Sequence, residues 1–371
     1  VRGLSAARHI LMTADAVGGV WTHALDLAAG LEKLGTRTTL VVLGPAPDAA
    51  QRADALGVPG LQLVESGLPL DWLAAEEREV RRAGQALAQI SAASGADLVQ
   101  LNSPALAAGG AFGMPVVGVC HSCVATWWQA VRGGAMPAEF VWRTDLLARG
   151  YAACDALVAP SHAFAAATEA VYSQRPEVVW NGRAGGDVAD GMTRFAFTAG
   201  RLWDEGKDAA TLDRAASRLD VPIMAAGPTR GPNGATVALP NLRQLGSLSA
   251  DAVRAWMARG PIFVSAARYE PFGLAVLEAA AAGCALVLSD IPTFRELWDG
   301  AAVFVAPGDD AGFAAAIARL SRNREQRSCL RVAARERAGR HSVKAMASGM
   351  AAVHAQLLHG RTAREERSVA A

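Results

Sequence analysis

The sequence predicts an α/β fold whose parallel sheets are divided between two domains. Three observations lead there. Short apolar strands alternate with helices along the chain, the pattern of parallel sheets built from crossover units. At 371 residues the chain exceeds one ordinary hydrophobic core. Between two such alternating runs lies a stretch rich in glycine and aspartate and without periodicity, Arg183 to Thr193, which reads as a linker.

The first run opens with an apolar strand, His9 to Ala14, followed by a loop containing Gly18 and Gly19. Trp21 to Leu34 places Leu25, Leu27, Ala28 and Leu31 at helical spacing and stops at Gly35; Thr38 to Leu43 is the next strand. This βαβ start lacks the full Gly-x-Gly-x-x-Gly fingerprint of a dinucleotide site, and a tight turn needing two small residues explains the glycine pair equally well. Leu61 to Val64 is a short strand. The helix expected over Leu73 to Ala92 has a balanced charged face, Glu76-Glu77-Arg78-Glu79 with Arg81-Arg82, suited to solvent. Asp97 to Leu101 and Val116 to Cys120 are strands.

His121 follows the second of these, at a strand end where ligands gather in open parallel sheets. Its imidazole could donate to a phosphate or a sugar hydroxyl, or the ring could pack on Trp127 or Trp128. Cys120 and Cys123 form a Cys-x-x-Cys, but no second pair completes a zinc site, so the spacing reads as coincidence; Cys154 and Cys284 read as small core residues. Met136, Phe140 and Trp142 extend the aromatic group. Asp155 to Pro160 is a strand, a helix starts at Ser161-His162, and Glu177 to Trp180 is another strand.

The second run begins with a strand, Phe195 to Ala199, and the loop Gly200-Arg201-Leu-Trp-Asp-Glu-Gly-Lys207. A planar guanidinium and a point-charge ammonium six residues apart suit a diphosphate; the alternative is a pair of exposed loop charges. Strands follow at Val221 to Ala226, Leu242 to Leu245 and Pro261 to Ser265. Glu270-Pro271-Phe272-Gly273 breaks the last of these, Leu274 to Ala282 is a packed helix ended by Gly283, and Ala285 to Leu288 is a further strand. The amides of Phe272, Gly273 and Leu274 open a helix N-terminus, which attracts anions. With Glu270 and Glu278 on either side, the unit suits a ligand carrying phosphates and two sugars. Taken singly, Glu270 could merely complement the helix dipole and Glu278 face solvent. Asp310 is a candidate helix cap, two helices reach about Gly339, and His341 to Leu358 is a last amphipathic helix. Residues 360–371 read as a disordered tail.

Composition narrows the function. A formal net charge of +1 argues against nucleic-acid binding by bulk electrostatics. Five scattered cysteines fit a reducing compartment. The N-terminal residues show no signal-peptide pattern, and no apolar run approaches the roughly 20 residues of a membrane helix. Only Lys33, Lys207 and Lys344 are lysines against 33 arginines, which singles out Lys207.

Glu270-Pro-Phe-Gly-Leu-Ala-Val-Leu-Glu278, with Ala-Ala-Gly-Cys-Ala-Leu-Val-Leu-Ser-Asp shortly after, resembles the signature of family 4 of the retaining glycosyltransferases, the large group 1 family. The likeness runs from about Arg8 to Leu358. It implies the GT-B fold, two doubly wound Rossmann-like domains facing across a cleft. The N-terminal, acceptor-side domain would be 1–182, the linker 183–194 and the nucleotide-sugar domain 195–340, with helix 341–358 packing back on the first domain.

By the same resemblance Arg201 and Lys207 bind the donor diphosphate, Glu270 with the amides of Phe272, Gly273 and Leu274 holds the sugar, and Glu278 takes the ribose hydroxyls. Gly18 and Gly19 face the donor phosphates and the acceptor, His121 touches the donor sugar, and the aromatic group lines the acceptor side. No metal and no cofactor is implied; the donor is a UDP- or GDP-sugar, and the leaving phosphate itself takes the acceptor's proton. The resemblance implies a bacterial, cytoplasmic hexosyltransferase of polysaccharide or cell-surface glycan biosynthesis. Its acceptor would be a glycan or a lipid-linked glycan, the latter with peripheral contact to the inner membrane face. Two departures stand out: Ser122 where the family often has Asp, and Arg183 after Asn181-Gly182 where a Val-Asp pair is usual. The rival readings are a sugar phosphorylase or nucleotide-sugar epimerase on the same fold, a dinucleotide oxidoreductase, and a catalytically silent nucleotide-binding subunit.

Overall fold

The computed structural model describes residues 7–186 and 191–369, with 362–369 described only as helical backbone. In chain order the first elements are β1 (His9–Asp15), α1 (Gly19–Glu32), β2 (Arg37–Leu43), α2 (Ala49–Leu56), β3 (Leu61–Glu65), α3 (Glu77–Ser94), β4 (Leu98–Leu101) and β5 (Val116–Val119). Then come α4 (Val124–Val131), α5 (Ala138–Ala153), β6 (Ala156–Ala159), α6 (His162–Tyr172) and β7 (Glu177–Val178). The second run holds β8 (Ala196–Ala199), α7 (Ala209–Ala216), β9 (Ile223–Ala226), β10 (Arg243–Gly246), α8 (Ala250–Ala258), β11 (Ile262–Ser265) and α9 (Leu274–Ala281). It closes with β12 (Ala285–Ser289), α10 (Pro292–Trp298), β13 (Ala302–Val305), α11 (Asp310–Arg322) and α12 (Arg324–Ala338), after which α13 (Val343–Val369) ends the chain.

The chain divides into two compact units. One comprises residues 1–126, 134–182 and 343–371; the other comprises 127–133 and 183–342. Each is a doubly wound, Rossmann-like domain. The first carries an all-parallel sheet in the order β3-β2-β1-β4-β5-β6-β7, the second one in the order β10-β9-β8-β11-β12-β13. Strand order reverses between β1 and β4 and between β8 and β11, and such reversals open a crevice at the C-terminal strand ends.

Alternation along each strand builds the cores. In β11, Phe263 joins the layer under α9 and α10, while Ile262 and Val264 join the layer under α7 and α11; β12 repeats this with Leu286 and Leu288 against Ala285 and Val287. In the first unit, Ile10 and Met12 of β1 share a core with α1 and with Met346, Ala347 and Met350 of α13. Helices α1 and α13 approach closely because Gly30 has no side chain; a Cβ there would stand 2.6 Å from that of Ala347. A buried polar contact, His354 Nε2 to Gln100 Oε1 at 3.1 Å, lies under the same helix.

Several boundaries differ from expectation. α3 starts at Glu77 rather than Leu73, because the Ala74 carbonyl accepts from Arg143 at 2.7 Å and Glu79 reaches back to the Ala75 amide at 3.0 Å. Asp309, not Asp310, caps α11, accepting from the Gly312 amide at 2.8 Å; Asp310 turns outward to Arg218, at 2.8 Å. α13 starts two residues after His341 and continues to Val369, where a patternless tail was expected. Residues 1–6, 187–190 of the expected linker and 370–371 of that tail lie outside the described residues.

One glycine sets the geometry of the second switch point. Gly227, at φ 139°, follows β9, and a Cβ there would fall 1.8 Å from the Gly200 carbonyl oxygen. Gly227→Ala should therefore destabilise the second unit by about 2 kcal/mol, from left-handed strain plus displaced backbone. A urea midpoint within experimental error of the parent would overturn this account.

Candidate donor site and the strand ends of the first unit

In the second unit, β8 delivers the chain to Gly200 and Arg201. The loop that follows is organised by Asp204. Its Oδ2 lies 2.9 Å from Arg201 Nη2, and its Oδ1 accepts from the Gly206 amide at 2.9 Å and from Trp127 Nε1 at 3.3 Å. Arg132, from the segment that groups with this unit, adds an ion pair to Glu205 at 2.6 Å. A 3₁₀ turn, Glu205–Lys207, then presents Lys207.

The loop after β11 is tied to this turn. The Gly206 carbonyl accepts the amides of Arg268 and Tyr269, at 2.9 and 3.1 Å. Arg268 Nε reaches Asp208 Oδ2 at 3.0 Å, and Asp208, at φ 47°, also caps α7 through Thr211. Two loops from opposite sides of the switch point are thereby locked together, and Lys207 Nζ meets the carboxylate of Glu270.

Between Glu270 and Glu278 the chain turns at Gly273, whose φ of 95° requires glycine; a Cβ would crowd Phe294 at 3.1 Å and Glu270 Cγ at 3.3 Å. Gly273 is the N-cap of α9 and has no side chain to satisfy the first-turn amides. The sequence-predicted residues Arg201, Lys207, Glu270, Phe272, Gly273 and Leu274 thus belong to two facing loops and one helix start, while Glu278 lies further along α9. The arrangement offers cations, an uncapped helix N-terminus and acceptor carboxylates at one switch point. Arg201 Nε is buried with no hydrogen-bond partner among the described residues, although its Nη2 is engaged. Glu278 does not simply face solvent: its Oε1 lies 2.7 Å from Arg183 Nε, and both side chains are largely covered.

In the first unit, Gly18 precedes α1 as its N-cap and Gly19 is its first residue. The end of β5 places His121 beside His23, with ring centroids 4.7 Å apart and edge to face, and its Nε2 lies 2.9 Å from Asn102 Oδ1. The Asn102 amide nitrogen donates to the Thr13 carbonyl at 2.7 Å, so Asn102 must turn its oxygen to His121 and Nε2 must carry the proton. Burial first, and then the neighbouring His23, hold the His121 pKa well below the usual imidazole range. The neutral ring leaves Nδ1 as an acceptor, which suits a hydroxyl.

The aromatic group is divided: Trp127 and Trp128 belong to the second unit, Phe140 and Trp142 to the first, where Arg143 lies 4.4 Å from the Trp142 ring centroid. All five cysteines are free thiols; burial pushes the Cys120 thiol up to about 12, and Cys123 Sγ lies 3.0 Å from the Thr126 hydroxyl. Among the described residues no three His, Cys, Asp or Glu side chains are placed to hold a metal ion. No helix of the described residues is long and apolar enough to cross a membrane.

Sequence reasoning missed Asn102, His23, Asp204 and the contact of Arg183. Asp204, three residues after Arg201, carried a readable signal, since short acidic side chains often brace turns. Asn102 and His23 carried none, because their partners are remote in sequence.

Two family descriptions match. Residues 17–183 match "Glycosyltransferase Family 4" and residues 193–323 match "Glycosyl transferases group 1". No curated protein matches the sequence significantly. Among solved structures, a sucrose-phosphate synthase from Thermosynechococcus elongatus is similar with a TM-score of 0.79 at 17% identity, covering 95% of this chain and 100% of that one. Anabaena HepE, solved with UDP and glucose, gives 0.69 at 17% identity, covering 94% and 100%. A glycosyltransferase from Rickettsia africae gives 0.66 at 15% identity, covering 94% and 98%. At these identities the likeness establishes the GT-B glycosyltransferase fold.

Proposed function

Since the chain belongs to the family 4, group 1 glycosyltransferases, we propose that it is a retaining hexosyltransferase that moves a sugar from a UDP- or GDP-sugar to an acceptor hydroxyl. The observation that carries this reading is the locked pair of loops in which Lys207 meets Glu270, just before the N-cap of α9.

In this reading the donor's diphosphate lies against Arg201, Lys207 and the first-turn amides of α9. Those groups stabilise the negative charge that grows as the bond between the sugar's anomeric carbon and the phosphate oxygen breaks. Pre-placed charge of this kind is usually the largest catalytic term. The acceptor oxygen bonds to the anomeric carbon on the face that the phosphate leaves, and its proton passes to the departing phosphate oxygen. No side chain is therefore assigned as general base. Glu270 accepts sugar hydroxyls, and Glu278 accepts those of the ribose. HepE, solved with UDP and glucose, supports a donor of this class. The acceptor is a glycan or lipid-linked glycan of cell-surface biosynthesis, reached at the cytoplasmic face of the membrane.

Thermal stabilisation by UDP, GDP, ADP, dTDP and NAD tests the reading. A ligand at 100 times its dissociation constant adds about 2.7 kcal/mol. For a domain of this size that is a rise in Tm of roughly 5–10 °C. One nucleoside diphosphate should give it. No shift, or a shift with NAD alone, would remove the basis of the proposal.

A further inference from the structure

Trp127 reaches the loop after β8 from a distant stretch of chain. It lies in α4, yet residues 127–133 group with the second unit. Its ring packs so closely on the 3₁₀ turn that a Cβ on Gly206 would stand 2.8 Å from Nε1. The indole N–H donates to Asp204 Oδ1 at 3.3 Å, and the Gly206 amide donates to the same oxygen at 2.9 Å. The other carboxylate oxygen, Oδ2, meets Arg201 Nη2 at 2.9 Å, while Arg201 Nε has no hydrogen-bond partner among the described residues.

Asp204 therefore holds Arg201 by one arm. An arginine and a carboxylate commonly pair through two parallel bonds, fork to fork. Here two donors already fill the lone pairs of the second oxygen. The Gly206 amide belongs to the turn itself, so the indole is the donor supplied from elsewhere. Exposure separates it from the ion pair that the same segment makes. Arg132 and Glu205 are 51% and 54% exposed, where a pair contributes little. Asp204 is 12% exposed, and a hydrogen bond to a covered carboxylate contributes more.

We propose that Trp127 is a positioning residue of the donor site. Its indole N–H keeps Asp204 Oδ1 from pairing with Arg201, so that the guanidinium, held by one arm, keeps the rest of its fork for the donor's diphosphate. Without that N–H the carboxylate closes on Arg201 as a two-bond pair, and the phosphates must compete with it. This rests on the diphosphate site proposed above, and it adds a residue that acts through Asp204 rather than on the donor.

The test is calorimetric titration of the full chain with UDP or GDP, whichever stabilises the parent protein, and with the corresponding nucleoside, which carries no phosphate. Trp127→Phe keeps a ring and loses the N–H. It should bind the diphosphate about 10-fold more weakly than the parent, with nucleoside affinity unchanged. In an Asp204→Asn background, where no carboxylate competes for Arg201, adding Trp127→Phe should change diphosphate affinity less than about twofold. If Trp127→Phe does not fold, Trp127→His, which restores a ring N–H, should bind the diphosphate more tightly than Trp127→Leu. Unchanged diphosphate affinity, equal weakening of nucleoside and diphosphate, or the same loss in the Asp204→Asn background would overturn the inference and leave Trp127 as a packing anchor of the turn. A parent that binds the diphosphate no better than the nucleoside would instead refute the diphosphate site itself, and the inference with it.

Discussion

Lys207→Ala is expected to lower turnover on the order of 100-fold at saturating donor. That is a loss of about 2.7 kcal/mol of transition-state stabilisation. Two effects combine. The ammonium at the end of the 3₁₀ turn is lost where the leaving diphosphate gains charge. Glu270, which Lys207 contacts directly, is also left without its counter-charge next to an incoming anion. The pair should therefore be strongly coupled. Glu270→Gln added to Lys207→Ala should cost much less than Glu270→Gln alone, because the neutral amide no longer repels the phosphates. Lys207→Arg should recover part of the activity, its charge restored on a fork of different shape. Steady-state kinetics decide the matter: a decrease below about threefold for Lys207→Ala would end the diphosphate assignment.

The positions of Arg201, Lys207, Glu270 and Glu278 could be anticipated because each sits at a fixed distance from a strand end or a helix start. In a doubly wound domain, that distance alone decides whether a residue reaches the switch point. The alternation of apolar strands with helices likewise announced both sheets. Less visible were elements whose signal is local and polar. α2 has almost no buried face, and only its capping box, Asp48 with Gln51, marks its start. The end of α13 is the opposite case. Its charged residues have no apolar period, yet Arg and Glu are good helix formers, and a helix already nucleated extends through them readily.

The parts of the site that sequence could not supply are its tertiary partners. The double acceptance by the Gly206 carbonyl locks two loops separated by some sixty residues, and no spacing rule encodes it. The tautomer of His121 depends on Asn102 and Thr13, contributed by two other strands. Arg183 was conspicuous as a departure, but its meaning required knowing that Glu278 stands within reach.

Acidification should unfold the first unit well before ordinary carboxylate titration would. His23 and His354 are both buried, and burial is the main cause that brings each down to about 4. Neither ring nitrogen of His23 makes a well-aligned hydrogen bond among the described residues, although the neighbouring Asn181 offsets part of the penalty. In the unfolded chain both imidazoles titrate near 6.5. The unfolded state therefore binds two protons that the folded state refuses until about pH 4. Their contribution is complete above about pH 6.5 and is lost progressively as the pH falls towards 4, about 3 kcal/mol for each histidine. Together that is about 6 kcal/mol, comparable to the whole stability of many domains. His9 and His121, also held low by burial, act in the same direction, while Asp71, whose carboxyl burial pushes up, opposes them. Urea midpoints at pH 7.5, 6 and 5 should decrease steeply. His354→Gln, which keeps a polar contact for Gln100 but cannot be protonated, should remove about half of the decrease due to the two buried rings. A midpoint that stays constant from pH 7.5 to 5 would mean that these imidazoles are protonated within the fold and that water reaches the layer beneath α13.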